Sequence, residues 1–242
     1  MKPQQHWDSR AAANFVFGGA GSGLLVLSPF TTNSYLVALG LVLIAAGLAA
    51  VWLEIGRKLR ALHVFFNPLT SWMTREAFCA AVLFFSGTAF LLTGQKAFLY
   101  GTAVFAAAFL YCQARILHAA KGIPAWRVPQ VVPLLLLTGL AEGAGLALLF
   151  GAPAAPLAVL VVARLWAWQR YRAKVARPEL ESAGKALLIA GTGGALLLAW
   201  TVPILAAVAA IAPGWWLKHA LVTRASFKQE FTLPHLPVRG TR

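Results

Sequence analysis

Glu54-Ile-Gly-Arg-Lys-Leu-Arg-Ala-Leu-His-Val-Phe-Phe-Asn-Pro-Leu-Thr-Ser-Trp-Met-Thr-Arg-Glu76 is the stretch on which the fold turns. Arg57, Lys58, Arg60 and Arg75 lie between two carboxylates, and each carboxylate stands about one helical turn from the edge of a long apolar run. Read outward, the stretch is a charged loop joining two apolar helices. Charge held at the edge of such runs points to an ion or proton site.

Apolar runs of this kind recur along the whole 242-residue chain. The hydrophobic set makes up 60% of it and charged residues only 12%, about half the charged share of a soluble domain. Runs of about 20 apolar residues suit a bilayer crossing, and the short gaps between them leave no room for a separate soluble domain. The expected fold is an all-α integral membrane bundle of eight transmembrane helices. Residues 1–224 would form one membrane domain and 225–242 a tail that contacts a partner subunit.

The expected spans are Ala12 to Pro29, Tyr35 to Gly56, Thr74 to Thr93, Ala97 to His118, Val131 to Phe150, Gly151 to Tyr171, Ala183 to Trp200 and Val202 to Arg224. Only Thr201 and Pro203 mark the corner between the last two, but some 40 residues is twice one crossing. With eight spans, the N-terminal tail, the gaps after spans two, four and six, and the C-terminal tail share one face. That assignment gives the face every Lys and Arg except Lys96, 20 of 21. Basic residues favour cytoplasmic loops, so both termini are expected in the cytoplasm and the chain in the inner membrane.

The net charge of +14 follows from this bias. A nucleic-acid partner would need a solvated basic module with stacking aromatics or a recognition helix, and the sequence contains none. Cys79 and Cys112 fall inside apolar runs without a Cys-x-x-Cys pair, so they read as small buried residues. The polar N-terminus ahead of the first run reads as an uncleaved first span. Gly18-Gly-Ala-Gly-Ser-Gly23 lies inside a span with no strand before it; glycines there let helices pack closely. His6, His63, His118, His219 and His235 all fall at span ends, loops or tails, which argues against a haem held by two facing imidazoles, and no metal site is expected.

Seven acidic residues remain. Glu179, Glu181 and Glu230 read as solvated, and Asp8 as part of an interfacial collar with His6, Trp7 and Arg10. Glu54 and Glu76 allow two readings: a salt-bridged collar with Arg57, Arg60 and Arg75, or a pair of carboxylates that exchange protons beside a redox-active ligand. Glu142 lies in Leu-Thr-Gly-Leu-Ala-Glu-Gly-Ala-Gly, about 11 residues and so roughly 16 Å from the basic end of its span. An ionised carboxylate at that depth is costly, so it must be neutral, paired or in a wet cavity. A hydrogen-bonded packing group and a proton-relay station both fit, with Thr138 one turn away on the same face.

The loop resembles the motifs of the quinone-reactive NrfD-type membrane anchors, such as the membrane subunits of dimethyl sulfoxide and polysulfide reductases. Gly56 and Arg60 match the end of their His-x-Gly-x-x-x-Arg motif; Ser71, Trp72, Thr74, Arg75 and Glu76 match their Ser-Trp-x-Ser/Thr-Arg-Glu motif. Glu54 departs from the pattern, standing where that family has histidine. The C-terminal run from Leu221 to Gly240 is similar to the tails of anchors assigned to phenylacetyl-CoA:acceptor oxidoreductases.

The resemblance implies a subunit that passes electrons to a membrane quinone (ubiquinone or menaquinone) from a ferredoxin-like iron–sulfur subunit. A catalytic subunit carrying a molybdenum or tungsten pterin would complete the complex on the basic face. It implies head-group contacts from Gly56, Arg60, Trp72 and Glu76, with Glu54 in the histidine's place and Glu76 exchanging the proton; on this reading Asn14 is a further ring contact, and Glu142, if it relays protons, a deeper station. Two other readings stay open: a secondary transporter built around the mid-span carboxylate, and a passive anchor with no quinone chemistry.

Overall fold

A computed structural model describes residues 7–54 and 63–227 with their side chains, and residues 2–3 and 228 as backbone. The expectations for Gly56, Arg57, Lys58, Arg60, His6, Glu230 and His235 lie outside these residues. Apart from one two-residue pairing, the described chain is helical.

Six of its helices are long and apolar enough to cross a membrane: α1 (Ser9–Phe30), α2 (Ser34–Glu54), α3 (Trp72–Thr93), α4 (Lys96–Ala119), α6 (Val131–Leu148) and α9 (Pro203–Thr223). A short α5 (Pro124–Arg127) fills the gap after α4. Two further long helical runs occupy the sixth and seventh expected spans. One is α7 (Ala154–Arg172), which carries Arg164, Arg170 and Arg172. The other is α8, a continuous run over 181–198 interrupted by a π-helical turn at Ile189–Gly194. The chain therefore has the character of a multi-pass membrane protein.

Side chains sort as lipid solvent requires. Large apolar residues such as Val42, Phe85, Leu92, Val104 and Leu197 are exposed, whereas the interior is filled by Ala, Gly, Leu and a few polar groups. With no hydrophobic force between helices in lipid, close backbone packing supplies much of the cohesion. It is concentrated where α1 meets α6. A Cβ added to Gly23 would strike the Gly139 carbonyl, and one added to Gly143 would strike the Gly23 and Leu24 backbone. On its other side α1 lays Gly21 against the Gly40 carbonyl of α2. The glycine run thus seats α1 at the centre, against α2, α4, α6 and α9.

Lys2–Pro3 pairs antiparallel with Phe227–Lys228, and Ser9 Oγ lies 3.2 Å from His219 Nε2. Both ends of the described chain therefore meet at one end of the bundle. The start of α3 and the end of α4 lie at this same end, where Tyr111 in α4 packs edge-on to Trp72 in α3.

Candidate functional site

The Ser-Trp-x-Thr-Arg-Glu segment performs four local tasks. Ser71 is the N-cap of α3, its hydroxyl accepting from the Thr74 amide at 3.3 Å, which satisfies one of the helix's orphan donors. The Thr74 hydroxyl donates to the Val64 carbonyl. Arg75 donates from Nε to the Pro68 carbonyl at 2.9 Å and from Nη2 to the Leu69 carbonyl at 2.6 Å. Those three bonds fasten the loop to the helix start. Arg75 is therefore committed to backbone, not to a carboxylate.

Glu76, one residue on, points inward and is only 6% exposed. The Asn14 amide donates to its Oε1 at 3.2 Å, and the Gln113 side chain is also within hydrogen-bonding reach. Gln113 Nε2 in turn donates to the Asn14 carbonyl at 2.9 Å and to Asn14 Oδ1 at 3.2 Å. Asn14 opens a π-helical turn, Asn14–Gly18, and its side chain sits in a notch left by Gly18 and Gly47. The wider turn frees carbonyls for outside donors, a geometry common at functional sites.

Trp72 lies one helical turn before Glu76 in α3. The Arg75 guanidinium carbon is 4.3 Å and that of Arg115 4.5 Å from its ring, within cation–π range. Arg115 also donates to the Tyr111 hydroxyl at 3.0 Å. Two guanidiniums and two aromatic rings thus cluster about one helical turn before the carboxyl of Glu76.

Glu54 lies elsewhere in character. It ends α2 partly exposed, with Asp8 and Arg10 as its charged neighbours, and Arg10 Nη1 donates to the adjacent Leu53 carbonyl at 3.4 Å. Asp8 caps α1, accepting from the Arg10 amide at 2.7 Å. The two loop carboxylates therefore have separate surroundings, one beside a helix cap and one inside the bundle.

Deeper, Glu142 has found a partner. Lys218 Nζ in α9 lies 2.5 Å from Glu142 Oε2 and donates to the Phe15 carbonyl at 2.9 Å, and all three residues are buried. Arg164 in α7, also fully buried, is a further charged neighbour of Glu142. It donates at 2.6 Å to the Ala210 carbonyl and at 2.6 Å to that of Gly191, within the π turn of α8. Each π turn therefore has a carbonyl held by a buried cation. Thr138 spends its hydroxyl on the Leu134 carbonyl of its own helix.

Arg164 and Lys218 correct the sidedness count. Both are buried among helices instead of lying in basic loops, so the expected 20 on one face counts two that the bundle encloses. Hydropathy averages over a window and cannot see one cation with a carboxylate on another helix. Gln113 was missed as well; a buried amide in an apolar run was its only sequence signal. The chain matches no protein-family model and no curated protein.

Proposed function

We propose that the chain is a quinone-binding membrane anchor that takes electrons from an iron–sulfur subunit at the end of the bundle where α1 and α3 start and α4 ends. The observation that carries this reading is the buried Glu76 in contact with the Asn14 amide, one helical turn from Trp72 and its two guanidiniums. Reduction of a quinone to quinol takes up two electrons and two protons. Glu76 passes on both protons in turn, taking the second from the aqueous side after giving up the first; Asn14 and Gln113 position its carboxyl, and Arg75 and Arg115 add positive charge for the reduced head group. Arg60, Gly56 and Glu54 would add the contacts implied by the resemblance.

The electrons come from partner subunits. Iron–sulfur clusters and a molybdenum or tungsten pterin belong to those partners, docked on the cytoplasmic side of the inner membrane. A CoA thioester such as phenylacetyl-CoA suits that side as substrate. In the assembled complex, Glu76→Gln should abolish quinone reduction while subunit assembly and dye-linked oxidation persist. Full quinone turnover in that variant would refute the proton role.

The Lys218–Glu142–Arg164 cluster, placed where α1, α6, α7 and α9 meet, favours a second reading, a secondary transporter with a charged central site. Substrate flux in liposomes by the purified chain alone would support it, and flux absent under all gradients would remove it.

A further inference from the structure

α3 and α4 are antiparallel neighbours joined through Gly94, which takes the left-handed conformation at φ 68°. Small residues let the two helices pack closely. A Cβ added to Gly101 would lie 3.7 Å from the Ser86 Cβ, and Ala80 and Ala106 are buried. Two contacts fix the register. Thr102 Oγ1 donates to Ser86 Oγ at 3.1 Å in the interior, and Trp72 packs edge-on to Tyr111 at the start of α3.

Between these contacts Cys79 of α3 meets Cys112 of α4, their thiols within hydrogen-bonding reach of each other. Both are free thiols, Cys112 buried and Cys79 half-buried. Cys79 follows Glu76 by three residues and so lies on the same side of α3. Cys112 precedes Gln113, which reaches the same carboxyl. Glu76 is a near neighbour of both thiols, and Arg75 of Cys112. A lone thiol in apolar surroundings is inert. Two in contact can be joined by side-chain rotation, whereas cysteines that point apart cannot be bridged without moving backbone.

We propose that Cys79 and Cys112 are a redox-active dithiol that a membrane quinone oxidises to an interhelical disulfide. Two S–H bonds break and one S–S bond forms; the two electrons and two protons pass to the quinone, which leaves as quinol. Glu76 is placed to carry the thiol protons. The oxidant has to be lipid-soluble, because charged oxidants such as glutathione disulfide are costly to bring among membrane-spanning helices. On the half-buried side of Cys79, Phe78 and Val82 are exposed apolar neighbours, a surface open to a quinone dissolved in the bilayer. The choice of oxidant rests on the reading of the Glu76 pocket as a quinone site, and the pairing of the thiols rests on their contact.

The test takes the full-length chain in nanodiscs, reduced and freed of reductant, and adds decylubiquinone in the absence of oxygen. The chain is then unfolded in the presence of N-ethylmaleimide. The wild type should form quinol, lose two hydrogens by intact mass, take up no N-ethylmaleimide and yield a peptide that joins Cys79 to Cys112. Cys79→Ser and Cys112→Ser, matched to the wild type in helix content by circular dichroism, should form no quinol and leave the remaining thiol open to alkylation. Thiols that both take up N-ethylmaleimide after quinone, or a disulfide between two chains instead of within one, would overturn the proposal. Quinone turnover by the assembled complex is read in parallel. Turnover without closure overturns the dithiol alone, loss of both removes the quinone pocket as well, and closure without turnover upholds the dithiol while removing the electron-transfer role of the chain.

Discussion

Glu76 and Glu142 are the same side chain, both inside the helical bundle, yet the protein surrounds them differently. Glu76 has amide partners, Asn14 and Gln113, and no ion-pair partner among the described residues. Glu142 has Lys218 at 2.5 Å and Arg164 nearby. A carboxyl held only by neutral donors can change its charge without breaking an ion pair. One locked to a buried cation cannot, because its protonation would strand the cation in a low-dielectric interior. The contrast is what the proposed proton exchange at Glu76 requires, and it narrows the alternatives for Glu142 to a paired group.

The largest effect that could break this comparison lies in the interior. Lys218→Met should lower stability by about 3–5 kcal/mol, since it deprives Glu142 of its ion-pair partner. Lys218→Met with Glu142→Gln should recover much of that loss. Thermal unfolding in detergent reads both, and equal destabilisation by the single and double variants would show that the pair is not the relevant unit. Next comes the helix contact that holds the two regions in register. Gly143→Val drives a side chain into the α1 backbone and should cost about 1–3 kcal/mol or more, seen in the same assay.

Much of the architecture was legible because lipid exposure writes itself as apolar runs. The third span was expected over Thr74 to Thr93 and is found at Trp72–Thr93; the corner at Thr201 and Pro203 separates α8 from α9. Glu76 is placed inward, against the Asn14 amide. What stayed hidden depends on pairs of helices. Nothing near Lys218 in the sequence reveals that it meets Glu142, 76 residues earlier. The π turns at Asn14–Gly18 and Ile189–Gly194 also have no pattern of their own in sequence: each is a local shift to i→i+5 backbone bonding, and the cations that take its carbonyls lie on distant helices.

A smaller effect sharpens the Glu76 side. Gln113→Leu removes the donor that holds Asn14 and leaves buried acceptors unmet, at about 1–3 kcal/mol. Its diagnostic consequence is kinetic: quinone turnover in the assembled complex should fall while dye-linked oxidation is unchanged. A variant that loses both equally would have acted through folding.

The most direct measurement is photolabelling of the assembled complex with an azido-quinone, followed by peptide mapping. Label should fall on the segment around Asn14, on Trp72 to Glu76 and on the stretch around Gln113, and an excess of unmodified quinone should compete it away. Label confined to lipid-facing residues, or insensitive to competition, would contradict a quinone site at Glu76.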